Sequence, residues 1–291
     1  IRDRFVHAEN GEILNFLRSE CVKKGQLTPH YHYVSRPPFT EAEAVRRAIY
    51  LAGQTDTPLY IAHMTCREAI AELQKAKGTG QRVSGETCTH YLTTTKEVLD
   101  NPDFNEAAKF VCSPALRDRE DCEALWQALS DGLLTAVSSD HCGIDVAELK
   151  QAGRNDFTQI PNGSPGAGDR LHMVWTEGVC TGKLTRQKFV DVIATQPAKI
   201  NGIYPRKGTL AVGSDADIVI FDPNYEGTVH LADNPNGVDY NLYEGRRQSG
   251  RVETVLLRGQ VVVENAKFVG RYGQGKFIPA NMYASGYENR N

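Results

Sequence analysis

Short apolar runs alternate with helix-patterned segments along most of the chain. Four runs combine apolar and β-prone residues, and the last of them stops abruptly at an acidic residue, Asp140. An apolar run of this length that ends at a polar side chain indicates a buried parallel strand, with that side chain at the carboxyl edge of the sheet. The predicted strands span residues 4–7, 58–63, 81–88 and 133–140.

In the segments between these predicted strands, apolar residues recur at helical spacing. Ile13, Phe16 and Leu17 share one face of the first predicted helix, and a capping box that begins at Thr40 predicts the start of the second. The proline-rich stretch 28–38 is predicted to be a surface loop. The predicted helices cover residues 12–24, 40–52, 67–77 and 119–129.

About four strand–helix units in roughly 200 residues indicate a parallel α/β architecture, whereas a closed (β/α) barrel needs eight units in about 250 residues. We therefore expect residues 1–207 to form the later half of such a barrel. The chain starts at Ile1, within a predicted strand, so we also expect it to be the later part of a longer polypeptide. Residues 208–265 show turn-punctuated strands that predict a small antiparallel domain, and 266–291 form a tail.

Three predicted strands end at residues that bind metals. His7, His63 and Asp140 supply two imidazoles and one carboxylate, which are ligand types of catalytic zinc sites. A single histidine at a strand end is more often a packed core residue. Three such residues at three strand ends favour a shared metal site and a metal-dependent hydrolase.

Other motifs give weaker signals. His30 and His32 have an HxH spacing, but they lie between prolines and no strand leads into them, so we interpret them as loop residues. The segment 270–277 nearly matches a phosphate-binding loop, but Phe277 replaces its hydroxyl residue. There is no GxSxG nucleophile motif. The sequence therefore favours neither nucleotide binding nor serine-based chemistry.

Composition narrows the function classes further. The net charge of -3, with both signs mixed, gives no reason to expect a nucleic acid or an anionic membrane as partner. No run of about 18 apolar residues is present, so no membrane span is predicted. Seven cysteines without a CxxC pair favour reduced, mostly buried thiols and a cytoplasmic protein.

Several segments, in order, resemble the dihydropyrimidinase and D-hydantoinase family of cyclic amidohydrolases. The resemblance extends from Val6 to about Asn265. The segments that carry it are VHAENG (6–11), HYVSRPP (32–38), YIAHMTCREA (60–69), GETC (85–88), SPALRD (113–118), SSDHC (138–142), DFTQIPNGSPG (156–166) and YPRKGTLAVGSDADIVIFDP (204–223).

The resemblance implies a TIM-like barrel with a small C-terminal β-sandwich domain and two zinc ions bridged by a carboxylated lysine and a hydroxide. By analogy His7 and His63 hold one zinc and Asp140 the other. Asp140 would take a proton from the hydroxide and deliver it to the leaving nitrogen of a dihydropyrimidine or 5-substituted hydantoin. Ser113 and Asn162 would bind the imide edge of this small cyclic amide through their backbone groups. A role in pyrimidine degradation and a homotetrameric assembly are also implied.

The family's metal-binding HxH, bridging lysine and catalytic tyrosine have no counterpart in this chain. We therefore expect the isolated 291-residue chain to be inactive. One alternative is a non-catalytic scaffold similar to the collapsin response mediator proteins, and the presence of His7, His63 and Asp140 together favours the enzyme. Allantoinase and dihydroorotase are alternatives within the enzyme class.

Overall fold

A computed structural model of the chain describes residues 4–280. These residues form two compact units, one containing 4–170 and 229–245 and the other containing 171–228 and 246–280. The domain division predicted from the sequence, with boundaries after residues 207 and 265, stays a prediction. Residues 281–291 of the predicted tail lie outside the described residues.

The first unit contains a four-stranded sheet in which neighbouring strands are parallel and follow the order of the chain. All four predicted parallel strands are therefore confirmed, although each is shorter than predicted. Within residues 4–280 the sheet is open, and the predicted barrel stays a prediction. The strands are β1 (Arg4–Val6), β2 (Leu59–Ile61), β3 (Val83–Cys88) and β4 (Ala136–Ser138).

Helices of the first unit pack apolar faces against this sheet and against each other. Val45, Leu73 and Leu125, from three different helices, are completely buried, and so is nearly all of strand β2. Burying such side chains stabilises the unit by about 1.5–3 kcal/mol each. The helices are α1 (Gly11–Lys23), α2 (His30–Val34), α3 (Pro38–Gln54), α4 (Arg67–Gly78), α5 (Thr89–Thr93), α6 (Phe104–Ala108) and α7 (Arg119–Ser130).

Two local predictions in this unit are wrong, and α1 buries residues next to its predicted apolar face. The stretch predicted as a loop contains the short helix α2, since its five residues lie between the prolines and include none. Helix α3 begins at Pro38, so Thr40 lies inside its first turn and does not cap it, because proline is well suited to the first helical position. On α1 it is Leu14 and Cys21 that are buried, whereas Phe16 is exposed.

The second unit contains a four-stranded antiparallel sheet, which confirms the antiparallel pairing predicted for this part of the chain. A second sheet packed on it, as in a β-sandwich, is not found in the described residues. The strands are β5 (Ile218–Thr228), β6 (Arg247–Leu257), β7 (Gln260–Glu264) and β8 (Lys267–Phe268). The helical segments are α8 (Arg170–Val174), a π-helix (Trp175–Val179), α9 (Arg186–Val190), a second π-helix (Asp191–Thr195) and α10 (Gln196–Ile200).

A close approach at Gly250 gives a stability prediction for this unit. Gly250 has φ +73°, and a Cβ at this position would lie 2.6 Å from the Phe221 ring and 2.8 Å from the Trp175 ring. We expect Gly250→Ala to destabilise the fold by about 2 kcal/mol more than Gly259→Ala, because only the former adds overpacking to backbone strain. Gly259 has φ +79°, with its nearest neighbour 4.0 Å from the added Cβ. Urea unfolding of both variants measures the difference, and equal losses would contradict the packing argument.

In the portion of the chain that the structure describes, no helix combines the length and the apolarity needed to cross a bilayer. All seven cysteines are free and five of them are buried, as the sequence predicted.

Candidate metal and catalytic site

The three residues predicted as metal ligands lie at the carboxyl ends of parallel strands. His7 directly follows β1, and His63 and Asp140 come two residues after β2 and β4. His7 and His63 meet, with 3.0 Å between His7 Nδ1 and His63 Nε2 and their rings edge to face. Burial and the neighbouring His7 lower the pKa of His63. The carboxylate of Asp140 lies close enough to His63 to oppose this shift.

Two of these residues have an unusual backbone conformation. His63 has φ 34° and Asp140 has φ 44°, in the left-handed region that side chains other than glycine rarely adopt. Such conformations cost about 1–3 kcal/mol each and cluster at functional sites. Directly after His63, the Met64 amide still donates to the Glu86 carbonyl of β3 at 2.7 Å, so the backbone stays attached to the sheet through this turn.

Glu9 orients the ring of His7. Its Oε2 atom lies 3.0 Å from His7 Nε2 and accepts a hydrogen bond of 2.7 Å from Arg36. Burial of Glu9 opposes ionisation, but the contacts with His7 and Arg36 lower its pKa to about 2. An ionised Glu9 can only accept, so His7 carries a proton on Nε2, and its Nδ1 faces His63.

The pair of ring nitrogens suits a zinc ion, which commonly takes imidazole ligands. Glu9 adds the outer carboxylate that metal-binding histidines usually have. His63 Nδ1 and Glu9 Oε1 are buried and have no hydrogen-bond partner among the described residues. Within residues 4–280, however, no group of three His, Cys, Asp or Glu side chains is arranged to hold a metal. The described residues can therefore supply two ligands, His7 and His63, whereas a zinc site requires at least three.

Ser113 and Asn162, the predicted substrate-binding residues, form a second group. The Ser113 hydroxyl donates to Asn162 Oδ1 at 2.9 Å. Ser113 is half-buried and Asn162 is exposed, so both can be reached from solvent. In the described part of the chain, no hydrogen bond joins this pair to His7 or His63.

The segment that carries Ser113 is held by buried side chains on both sides of it. The carbonyl oxygen of Cys112 lies 2.7 Å from His32 Nε2, and that of Pro114 accepts from the Tyr91 hydroxyl at 2.7 Å. Burial lowers the pKa of His32 to about 3, so the ring is neutral and donates through Nε2. The prediction that His32 is a surface-loop residue is therefore wrong, because this side chain is 3% exposed and supports the backbone.

No sequence pattern predicted that Glu9, Arg36 or His32 would be part of the site. A signal for Glu9 was present, since an acid two residues after a candidate metal ligand can reach the far side of its ring. Arg36 and His32 gave no comparable signal, because each meets its partner across a long sequence separation.

Comparisons with known proteins identify the family of this chain. The amidohydrolase family model matches residues 21–262. The D-hydantoinase of Ralstonia pickettii is 48% identical over 278 residues, which are 96% of this chain and 60% of that protein. The dihydropyrimidinase of Arabidopsis thaliana is 40% identical over 273 residues, 94% of this chain and 51% of that protein.

The chain is also similar to solved structures of this family. The crystal structure of a dihydropyrimidinase from Brevibacillus agri matches with a TM-score of 0.95 and 44% identity, covering 96% of this chain and 60% of that one. The chain spans at most about 60% of the length of these relatives. The resemblance inferred from the sequence motifs is confirmed.

Proposed function

We propose, because this chain belongs to the amidohydrolase family, that the native protein hydrolyses the cyclic amide bond of dihydropyrimidines or 5-substituted hydantoins with the help of zinc. The observation that carries the proposal is the convergence of His7 and His63 within 3.0 Å at the carboxyl edge of a parallel sheet. The similarity to proteins named D-hydantoinase and dihydropyrimidinase supports this choice of substrates.

The proposed roles follow from the contacts. His7 and His63 contribute two nitrogen ligands, and Glu9 keeps His7 in the tautomer that binds through Nδ1. When bound, zinc supplies a Lewis acid and an activated water for attack on the ring carbonyl. Asp140 accepts the proton from the attacking water and returns it to the leaving amide nitrogen, as a carboxylate at an exposed strand end can. Ser113 and Asn162 bind the imide edge of the ring.

Several finer features belong to the same proposal. We infer that the parallel sheet is part of a (β/α) barrel and that the antiparallel sheet is part of a β-sandwich. A second zinc, with Asp140 among its ligands, and a bridging carboxylated lysine would need residues other than those described. A homotetramer, a cytoplasmic location, a role in pyrimidine degradation and inactivity of the isolated chain stay predictions.

Removal of one imidazole should weaken zinc binding. We expect His63→Asn to lower the zinc affinity of the native protein by more than about 100-fold, because the variant loses a nitrogen ligand. Asparagine tolerates the left-handed backbone, so the turn after β2 should be retained. Zinc content after dialysis against a chelator, together with ring opening of dihydrouracil and hydantoin, measures the effect.

A matched control is His30→Asn, which alters a half-exposed histidine that contacts Asp100 and Tyr33. This variant should keep its zinc. Retention of zinc by His63→Asn would show that His63 is not a ligand. A native protein without stoichiometric zinc or hydrolysis would instead favour the non-catalytic scaffold.

A further inference from the structure

Lys150 is a fully buried cation whose charge faces backbone carbonyls instead of a carboxylate. Its side chain is 0% exposed, and Nζ donates to the carbonyl oxygens of Ala108 at 2.7 Å, Val111 at 3.3 Å and Gly163 at 2.7 Å. A protonated lysine has three N–H donors, which match these three acceptors in number. Among residues 4–280, no acid lies within ion-pair distance of Nζ.

These carbonyls belong to two segments that are distant in sequence. Ala108 and Val111 precede Ser113, and Gly163 directly follows Asn162. The Gly163 amide also donates to the Val111 carbonyl at 3.0 Å, and the Ser164 hydroxyl donates to the Lys109 carbonyl at 2.9 Å. Lys150 thus lies at the junction of the segments that carry the two proposed substrate-binding residues.

We propose that Lys150 is a positioning residue, which fixes the separation of Ser113 and Asn162 so that together they fit the imide edge of the substrate. The hydrogen bond of 2.9 Å between the Ser113 hydroxyl and Asn162 Oδ1 shows that the two residues are adjacent. The inference rests on the proposed function for the identity of the ligand, but the connection between the two segments is independent of it. Lys150 does not touch the substrate and takes no part in bond breaking.

The junction of the two segments should respond to pH through the charge of Lys150. Burial lowers the pKa of Lys150 to about 8, and the groups that act on it are Cys112, Cys142 and Asp239, with the Tyr240 ring 5.9 Å from Nζ. Separation of the two segments would expose Nζ to water and return its pKa towards the usual value of about 10.4. Opening therefore takes up a proton and should become less favourable as the pH rises from 8 to 10.

Steady-state kinetics of the native protein test the effect on substrate binding. Lys150→Met should raise KM for hydantoin about tenfold and change kcat by less than about twofold, because binding contacts are lost from ground and transition states alike. Lys109→Met removes one charge nearby, from a lysine paired with Glu106 at 2.6 Å, and should leave KM unchanged. An unchanged KM in Lys150→Met, or equal changes in both variants, would overturn the proposal.

The wild-type protein provides a test that requires no variant to fold. Amide hydrogen exchange of 108–113 and 162–164, corrected for the intrinsic pH effect, should become slower between pH 8 and pH 10, because opening of the junction takes up a proton. Faster exchange over this range would contradict the positioning role. If the protein hydrolyses neither dihydropyrimidines nor hydantoins, the proposed function is wrong. The hydrogen-exchange data still test the positioning role of Lys150. Unchanged exchange would overturn the positioning role whatever the activity.

Discussion

Replacement of Asp140 by asparagine is expected to lower kcat for hydantoin hydrolysis by about a thousandfold while the fold is retained. Asparagine has nearly the same shape and tolerates the backbone at this position, where φ is 44°. It cannot accept a proton from the attacking water or deliver one to the leaving nitrogen. We expect KM to change much less than kcat, because proton transfer is needed only in the chemical step.

Asp56→Asn is a closely matched control for this variant. Asp56 is also an exposed aspartate with a left-handed backbone, φ 46°, and its carboxylate is paired with Arg82 at 2.9 Å. Any effect of placing asparagine in this backbone conformation should appear in both variants. Ring-opening assays of the native protein, with zinc content measured in parallel, separate loss of proton transfer from loss of metal. Activity of Asp140→Asn within tenfold of the wild type would rule out Asp140 as the proton shuttle.

Loss of the charge on Glu41 is expected to cause the largest decrease in stability. Glu41 is 2% exposed and accepts from the Thr65 amide at 2.8 Å, from the Thr65 hydroxyl, and from Arg117 at 3.0 Å. Burial raises the pKa of Glu41, and the guanidinium of Arg117 opposes this rise. Glu41→Gln should lower the free energy of unfolding by about 3–5 kcal/mol, because it leaves the buried Arg117 uncompensated.

The same network supports the candidate site, since Thr65 comes two residues after His63 and also accepts from Arg117 Nε at 2.8 Å. Urea unfolding of Glu41→Gln measures the loss. Glu72→Gln is the control, because Glu72 pairs with a largely exposed lysine, Lys75, and should contribute no more than about 0.5 kcal/mol. If both variants lost the same stability, the buried pair would not be a main support of this unit.

The parallel sheet could be predicted because its strands carry a strong local signal. Residues 59–61 and 136–137 are short apolar runs with a polar residue soon after each, and this pattern identifies a buried strand whatever its neighbours are. Helix α4 was equally clear, since Ile70, Leu73 and Ala76 recur at helical spacing and are all buried. Helix α2 could not be predicted, because five residues between prolines carry too little periodicity.

The proximity of His7 and His63 could be predicted from the sequence, whereas the residues that support them could not. His7 and His63 follow strands of a parallel sheet, and parallel strand ends meet at one edge, so their proximity follows from the topology. Lys150 lies in a polar stretch that contains few apolar residues, and its burial depends entirely on distant carbonyls. Glu41 and Arg117 likewise pair across 76 residues, and no local pattern reveals such a contact.

The left-handed backbone at His63 and Asp140 also limits how these two positions can diverge over evolutionary time. A β-branched residue at either position would conflict with its own backbone, so a valine variant would disturb the turn and remove the functional group in one step. Asparagine and glycine avoid this conflict. A substitution that removes the imidazole or the carboxylate but keeps the turn is therefore expected to cost the least stability when the new residue is asparagine or glycine.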